Sequence, residues 1–512
     1  MSFGQIFRIE SNGANFFTMV FLPKREGKFP TVILRSPYVS SVKDADENEL
    51  LNNLLNGYNS WLTRGYAVVF QHCRGCGKSS GDFVPYINEH EDSRALRQWI
   101  RKQPFYDGTL LLMGGSYTAS LHYSSAPFED DIKAAVFEVQ DTNRYRLWYR
   151  NGQMRKGHAN WHFGLFKQNS LKKTGLSIKS FSSLPTKDLS KRVLGETAED
   201  FEQMLTAQNP EHPFWNTRFG GKEAKDSTDN LSFPTLFTTG YNDFYLGGMF
   251  DMWRKMSTAT KKRCAMLVSP YDHGDGFNKE NGMSFENGRR CEQFGPTYQI
   301  DWFDHVLKGT ELPYKKGVIT YYRAFENRWE SDFYSKETTD LVLKLGECSV
   351  TFNFNPLSPP AFSSEGTFQN DFSGRKDVIT VYTAPFEKDV FVKGKMKANL
   401  TFSSNCNDTS VYVAVSIEKP QGDYVLKHDI TSLCYVLGTY TPGNSVTLDF
   451  KFDEHAFLIG KGERLRIDIS STDDNTYLCH TNNKGPYYLQ TETKIAENTV
   501  FLDRSQIVLP IE

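Results

Sequence analysis

The 512-residue sequence has few cysteines, no long apolar run and almost no net charge. Its eight cysteines are scattered, which argues against a disulfide framework and favours reduced thiols. No stretch reaches the roughly 18 apolar residues that a membrane-spanning helix needs. The N-terminus lacks the basic and apolar segments of a secretory signal. A formal net charge of −2 gives no reason to expect nucleic acid or an anionic membrane as a partner. We therefore predict a cytoplasmic protein.

Two short motifs that could suggest a metal or a nucleotide are both incomplete. Cys73 and Cys76 form a CxxC pair, but a structural zinc site needs two more ligands at matching spacing, and no second pair appears. The segment CGKSS resembles the end of a phosphate-binding loop, but His72 stands where that motif begins with glycine. We predict no cofactor and no metal. The two cysteines are interpreted as incidental thiols, with a local disulfide or a redox role left open.

The first part of the chain alternates short apolar segments with amphipathic ones. Nearly all-apolar strands separated by helices indicate a parallel sheet that is covered on both faces. One amphipathic helix is predicted at residues 91–102, with Leu96, Trp99 and Ile100 on its apolar face. The predicted strands are residues 31–34, 66–70, 110–113, 132–139, 234–238 and 264–268.

The pattern changes twice after this sheet begins. Residues 141–232 lack apolar strand segments, and we predict a helical cap that is inserted over the sheet. Its aromatic residues are expected mainly to pack in the interior: Trp148, Tyr149, Trp161 and Phe163. Its arginines are expected to form a solvated face: Arg144, Arg146 and Arg150.

Later segments alternate apolar and polar residues with period two, as at 411–417, 446–452 and 465–469. This alternation is typical of an antiparallel β-sandwich. We therefore predict three units: an α/β domain at 1–140 and 233–316, a helical cap at 141–232, and a β-sandwich at 317–512.

The segment LLMGGSYTAS, at residues 111–120, ends an apolar run with two glycines and Ser116. Ser116 fits the nucleophile elbow G-x-S-x-G except at the fifth place, which is Thr118. A serine nucleophile needs a base, and the base needs an orienting acid. In α/β-hydrolases these residues follow in the order Ser, Asp or Glu, His. Asp243 follows the strand predicted at 234–238, and His273 follows the next strand, so the order is met. We predict these three residues as a catalytic triad.

Other candidates fit this order less well. His72 follows a strand but precedes Ser116, and His122 lies on the helix that the elbow would open. Asp272 is the rival of Asp243, but a residue adjacent to His273 in the sequence points elsewhere.

Several further motifs occur in a characteristic order: RSPY, GYAVVFQHCRGCGKSSGDF, GYND, SPYDH, DWFDHVLKG and the closing IVLPI. Together with Gly114, Ser116 and Tyr117, they resemble the cocaine esterase-like hydrolases, which are grouped with the S15-type Xaa-Pro dipeptidyl-peptidases and the α-amino acid ester hydrolases. That family's elbow is G-x-S-Y-x-G, and Ala119 takes the place of its last glycine. The resemblance implies an α/β-hydrolase fold with a C-terminal jelly roll. It also implies that the Tyr38 hydroxyl and the Tyr117 backbone N–H meet the oxyanion.

Three functions remain open at this point. The first is a serine hydrolase that cleaves small-molecule acyl esters, or related amides, through an acyl-enzyme. The second is an Xaa-Pro dipeptidyl-peptidase or amidase, which needs acidic groups to seat an ammonium that the sequence does not locate. The third is a non-catalytic protein whose sandwich binds a ligand such as a glycan, and the intact triad argues against it. The sequence also leaves a homo-oligomer open.

Overall fold

The computed structural model describes residues 2–123, 129–169, 184, 186–217, 231–274, 282–334, 338–486 and 489–512. A ten-stranded mixed sheet dominates the first part of the chain. The strands of this part are β1 (Phe3–Ser11), β2 (Ala14–Leu22), β3 (Phe29–Ser36), β4 (Ala67–His72), β5 (Tyr106–Gly115), β6 (Ile132–Glu138), β7 (Tyr149–Arg150), β8 (Gln153–Met154), β9 (Thr235–Gly240), β10 (Ala265–Ser269), β11 (Ile319–Arg323) and β12 (Arg328–Asp332).

The sheet has the order β1-β2-β4-β3-β5-β6-β9-β10-β11-β12, and β7 and β8 form a separate hairpin. Neighbouring strands from β4 to β11 are parallel, whereas β1, β2 and β12 pair antiparallel at the two edges. The described α-helices are Glu47–Gly57, Asn59–Thr63, Glu89–Ile100, Tyr117–Tyr123, Arg144–Trp148, Lys156–Asn169, Leu189–Leu194, Glu199–Thr206, Pro213–Thr217, Leu246–Lys255, Thr258–Arg263, Arg290–Phe294, Tyr298–Lys308 and Leu433–Leu437, with a 3₁₀ turn at Ser40–Val42.

Both faces of the central strands are buried, as their nearly all-apolar sequences predict. Val32 and Ile33 are adjacent on β3, yet they lie in two different apolar clusters. Leu111 and Leu112 on β5 divide in the same way. Because successive side chains of a strand point to opposite faces, each cluster marks one covered face. The predicted α/β architecture is confirmed.

The β-sandwich is built from a seven-stranded and a four-stranded sheet, both antiparallel. Its strands are β13 (Thr339–Lys344), β14 (Ser349–Phe354), β15 (Ile379–Tyr382), β16 (Val390–Gly394), β17 (Lys397–Ser404), β18 (Ser410–Lys419), β19 (Gly422–Ser432), β20 (Val446–Lys451), β21 (His455–Ile459), β22 (Leu465–Ser470) and β23 (Ala496–Ile511). The order is β20-β17-β23-β16-β21 in the larger sheet, where β13 and β14 also pair with β23, and β15-β22-β18-β19 in the smaller one. The predicted β-sandwich is therefore present.

Two strands that follow residue 317 belong to the first sheet. β11 pairs parallel with β10, and β12 pairs antiparallel with β11. All five residues of β11 are buried, as in the neighbouring strands of the parallel sheet. The strands of the two sandwich sheets therefore begin at Thr339, whereas the sequence analysis places the start of the β-sandwich at residue 317.

The described part of the predicted cap contains five helices, of which Lys156–Asn169 is the longest, and the β7–β8 hairpin. The sequence analysis missed this hairpin because strands of two residues leave no recognisable pattern. Phe163, Phe201 and Leu205 of this region join an apolar cluster of the large sheet. Residues 170–183, 185 and 218–230 of the predicted cap lie outside the described part. No helix of the described residues is long and apolar enough to cross a membrane.

The expectation of a solvated arginine face is wrong. Arg150 pairs with Asp429 at 2.7 Å and with Asp453 at 3.3 Å, both in the sandwich. Arg146 pairs with the same Asp453 and with Asp251 at 3.1 Å. Arg144 is buried, with its guanidinium carbon 4.4 Å from the ring centroid of Tyr86. The acidic partners lie about 100 to 300 residues away along the chain, so a local sequence pattern could not reveal them.

Asp453 is the shared partner of two partly buried arginines, Arg146 and Arg150, and its removal is expected to destabilise the protein. Burial disfavours its charged form, but Arg146 and Arg150 hold the pKa of Asp453 well below its usual value. Because Asp453→Ala leaves cationic charge uncompensated, we expect a loss of about 3 kcal/mol in the free energy of unfolding, measured in urea. Asp503→Ala is the matched control, since its pair with Arg504 is exposed and is worth less than about 1 kcal/mol. Equal losses in both variants would contradict this account.

Candidate active site

Four predicted site residues follow four parallel strands at the same edge of the sheet. Tyr38 comes after β3, Ser116 after β5, Asp243 after β9 and His273 after β10. In parallel sheets of this kind the carboxyl ends of the strands form one edge, where ligands bind. The fold thus brings together side chains that are far apart in the sequence.

Ser116 lies on a sharp strand-to-helix turn. Its φ is +54°, in the left-handed region that side chains other than glycine rarely adopt. The turn leaves no room for a side chain at residue 114, where a Cβ atom would come within 2.5 Å of the Thr118 carbonyl group. Ala119 is buried, and its N–H donates to the Ser116 carbonyl at 3.1 Å. The elbow therefore accommodates alanine where the resembling family has glycine.

Asp243 is buried and is held by a set of hydrogen-bond donors. Its Oδ1 accepts from the Tyr245 backbone N–H at 3.1 Å, and its Oδ2 accepts from the Thr239 hydroxyl at 3.2 Å. The same Oδ1 lies 3.2 Å from Nδ1 of His273. These contacts fix the carboxylate beside Nδ1 of the imidazole, so that Nε2 is the ring nitrogen that does not face Asp243.

The imidazole of His273 is enclosed by aromatic rings but still reaches solvent. Its ring stacks on Phe244, with 4.7 Å between centroids, and 34% of its side chain is exposed. Burial lowers the pKa of His273, but the Asp243 carboxylate outweighs this effect and, with Asp272, raises the pKa above its usual value. The imidazolium is thus stabilised by the same carboxylate that orients the ring.

Tyr38 is placed beside Ser116. Its hydroxyl accepts a hydrogen bond from Nε1 of Trp161 at 3.1 Å. Although 45% of the residue is exposed to the cleft, its hydroxyl end is enclosed. This burial raises the pKa of Tyr38 to about 12, against the opposing effect of hydrogen bonds with Trp161 and Ser116. Tyr38 therefore keeps its proton at neutral pH and can donate it to an anionic oxygen.

A cavity of about 630 Å³ joins these residues. Tyr38, Ser116, Tyr117 and His273 all line it. Its walls come from the sheet, from the cap and from the β-sandwich. Although both residues are among those the structure describes, Ser116 and His273 form no direct hydrogen bond. In ligand-free enzymes such catalytic hydrogen bonds are often long and tighten when the substrate binds.

Comparison with known proteins identifies the family. Residues 12–275 match the model of the X-Pro dipeptidyl-peptidase (S15 family), and residues 320–506 match that of the X-Pro dipeptidyl-peptidase C-terminal non-catalytic domain. The chain belongs to the S15 family. It is accordingly a hydrolase, as the sequence analysis predicts.

Relatives of this S15 chain extend over nearly its whole length. Cocaine esterase from Rhodococcus sp. (strain MB1 Bresler) is 22% identical, covering 93% of this chain and 91% of that protein. The structure of an α-amino acid ester hydrolase has a TM-score of 0.83 at 17% identity, covering 100% of this chain and 97% of the other. An aminopeptidase from a Thaumarchaeota archaeon also has a TM-score of 0.83, at 16% identity, covering 100% and 96%. These similarities confirm an α/β-hydrolase fold with a C-terminal all-β domain.

The other histidines that the sequence analysis considered, His72 and His122, are not among the residues that line the cavity. Burial lowers the pKa of His72 to about 4, and its Nδ1 accepts from the Lys78 backbone N–H at 3.2 Å. Burial lowers the pKa of His122 to about 3, and its Nε2 lies 3.3 Å from the Met113 carbonyl oxygen. Asp272, which the sequence analysis considered as the rival of Asp243, accepts a hydrogen bond from the Gly274 backbone N–H at 3.1 Å.

The two cysteines of the CxxC pair are not among the residues that line the cavity. Cys73 and Cys76 are free, buried thiols, and burial raises the pKa of Cys76 to about 12. Within the described ranges, no group of three or more His, Cys, Asp or Glu side chains is arranged to hold a metal ion.

Several residues that line the cavity of the S15 chain were missed by sequence reasoning. Trp161 was expected mainly to pack, yet it donates to Tyr38. Phe244 follows Asp243 directly, and that adjacency was the one signal that could have revealed it. Others come from the α/β domain, the predicted cap and the β-sandwich, at positions that no motif marks: Tyr86, Tyr245, Leu147, Arg155, Gly157, His158, Asn475 and Thr476.

Proposed function

We propose that this S15 hydrolase cleaves acyl esters of small molecules through a Ser116–His273–Asp243 triad and an acyl-enzyme. The observation that carries the proposal is the hydrogen bond between Asp243 and His273 at the wall of the cavity that Ser116 also lines. A hydroxyl at a strained elbow, a base and an orienting acid are the parts that nucleophilic catalysis at a carbonyl requires.

In the proposed first step Ser116 Oγ attacks the carbonyl carbon of the ester. Its side chain turns from Tyr38 towards His273, and Nε2 of His273 accepts the hydroxyl proton. Asp243 stabilises the imidazolium that forms. When the tetrahedral intermediate collapses, the imidazolium protonates the leaving alcohol, and the acyl group stays on Ser116 as an ester. Water, deprotonated by His273, then attacks this ester, and the imidazolium returns the proton to Ser116 Oγ as the carboxylic acid is released.

The proposed oxyanion site combines one side chain and one backbone group. The Tyr38 hydroxyl contributes a proton that its high pKa keeps in place. Tyr117 is the first residue of its helix, so its N–H has no partner within the helix and is available to the oxyanion. Donors placed in advance at the developing negative charge are a large source of rate enhancement.

A second candidate is the release of Xaa-Pro dipeptides, which the matching family models favour by their description. That activity needs acidic side chains to seat the substrate's free ammonium. Among the described residues that line the cavity there is no aspartate or glutamate. The charge of the cavity therefore favours esters over substrates with a free N-terminus.

The nucleophile can be tested by active-site labelling. We expect a fluorophosphonate probe to label the wild type and not Ser116→Ala, because only an activated serine reacts with it. Gel fluorescence measures labelling, and 4-nitrophenyl acyl esters measured beside Xaa-Pro 4-nitroanilides distinguish the two substrate classes. Ser120→Ala is the matched control, since this serine lies one helical turn further on and donates to the Tyr117 carbonyl at 2.6 Å. Labelling that persists in Ser116→Ala would overturn the proposal.

Tyr38→Phe tests the oxyanion role. Because only the donated hydrogen bond is lost, we expect kcat to fall by about 10²–10³ with little change in KM. Steady-state kinetics on a 4-nitrophenyl ester gives both constants. Tyr245→Phe removes another tyrosine hydroxyl from the same cavity wall and should lower kcat much less. If Tyr38→Phe changes KM alone, Tyr38 binds the substrate and does not stabilise the oxyanion.

The pH dependence tests the base. His273 accepts a proton only when it is neutral, and its pKa is raised, so kcat/KM should fall on acidification with a midpoint above the ordinary value of 6.5. Asp243→Asn removes the carboxylate that raises this pKa, so the midpoint should move to lower pH. Turnover should also fall, by about 10⁴. Asp272→Asn is the control and should shift the midpoint less. A wild-type midpoint below 6.5 would contradict this assignment.

A further inference from the structure

The wall of the cavity that faces the β-sandwich carries an arginine that the proposed mechanism does not use. Arg155 lines the cavity together with Asn475 and Thr476. The backbone around it is fixed between cap and sandwich, because the Lys156 N–H donates to the Thr476 carbonyl at 2.8 Å and the Leu478 N–H donates to the Met154 carbonyl at 3.0 Å. Arg155 is thus held in place at the boundary of two units of the fold.

Arg155 differs from its neighbouring cations in having no acidic partner. Arg146 and Arg150 share Asp453, and Lys156 pairs with Asp474 at 2.7 Å. No described carboxylate lies within ion-pairing distance of Arg155, and its Nε is buried without a hydrogen-bond partner. Its guanidinium carbon lies 5.9 Å from the ring centroid of Tyr477, which is neutral.

The remaining surroundings do not neutralise this charge. The described lining of the cavity contains no aspartate or glutamate. Arg155 also borders a smaller cavity of about 190 Å³ that Asp243, Glu365 and Asp453 line, but each of these carboxylates is already bound to another group: His273, Lys427, and Arg146 with Arg150. Burial, together with the charges of Arg155 and His273, lowers the pKa of His158 well below its usual value, so this ring is neutral. A partly buried cation without a direct ion pair is unfavourable in the free protein, and a ligand that supplies the opposite charge relieves this cost.

We propose that Arg155 binds a carboxylate of the substrate, so that the preferred substrates are esters that carry a second, free acid group. A planar guanidinium matches the two oxygens of a carboxylate and binds them in a bidentate manner. The rest of the lining is largely aromatic and apolar, with Tyr86, Leu147, Trp161, Phe244 and Tyr245, and suits the hydrocarbon part of such a molecule. This inference rests on the proposed esterase function of the same cavity.

Substrate pairs that differ only in one charge test the inference. The mono-4-nitrophenyl ester of glutaric acid is compared with its methyl ester, which places the carboxylate on the acyl side. 3-Carboxy-4-nitrophenyl butyrate is compared with 4-nitrophenyl butyrate, which places it on the leaving group. We expect kcat/KM to favour the charged member of at least one pair by about 10- to 100-fold, as one charge-assisted hydrogen-bond pair allows.

Variants at Arg155 show whether this residue causes the preference. Arg155→Gln should reduce the ratio of the charged to the neutral substrate to near one, and Arg155→Lys should retain part of it. Lys156→Gln is the matched control: it removes an adjacent cation that Asp474 already neutralises, so the ratio should persist. If the ratio falls equally in Arg155→Gln and Lys156→Gln, the preference comes from the overall positive charge of the region and not from Arg155.

The outcomes separate this inference from the function on which it rests. Ser116-dependent hydrolysis of the neutral esters, with no preference for charge in the wild type, overturns the role of Arg155 and leaves the esterase intact. Labelling that does not depend on Ser116 overturns the esterase itself. If Arg155→Gln still prefers the charged substrate, another group of the cavity binds the carboxylate, and the role of Arg155 is overturned.

Discussion

The contact between Asp243 and His273 joins the loops that follow two neighbouring parallel strands, and the arrangement of the cleft depends on it. Further hydrogen bonds hold the backbone of the segment that carries Asp243. Arg290 donates to the Thr239 carbonyl at 2.8 Å, and Lys427 of the sandwich donates to the Tyr241 carbonyl. Lys427 is itself paired with Glu365 at 2.7 Å. The loop that carries Asp243 is thus held both by the α/β domain and by the β-sandwich. The C-terminal domain therefore takes a direct part in shaping the site.

Parts of this architecture could be predicted because they depend on local chemistry. Strand segments of the sheet are short and apolar, and an elbow serine must follow one of them directly. The order of Ser116, Asp243 and His273 along the chain then follows from the topology, since each residue stands just after a strand. The same reasoning gave the β-sandwich from its period-two alternation. In both cases the information lies within about ten residues of sequence.

Apart from the short β7–β8 hairpin, the main features that sequence reasoning missed depend on contacts between distant segments. In the sequence, nothing distinguishes Arg150 from a surface residue. In the fold, β19 places Asp429 beside it. The β18 strand was expected to have one polar face, yet eight of its ten residues are buried. Tyr412 and Ala414 of this strand pack into a small second cluster with Phe362, from a segment that precedes the strand. No pattern within one segment reports which other segment will cover it.

The charge of the cavity is the property that separates this chain from what the names of its relatives suggest. One structural neighbour is an α-amino acid ester hydrolase and another an aminopeptidase, and the name of each refers to a substrate with an amino group. An ammonium in the cavity described here would meet Arg155 and would find no aspartate or glutamate among the described lining residues. At low dielectric such a like-charge encounter costs more than in water, because little solvent screens it. A shared fold therefore does not fix the substrate, because in our proposal one side chain in the cavity wall, Arg155, changes the charge that the cavity prefers.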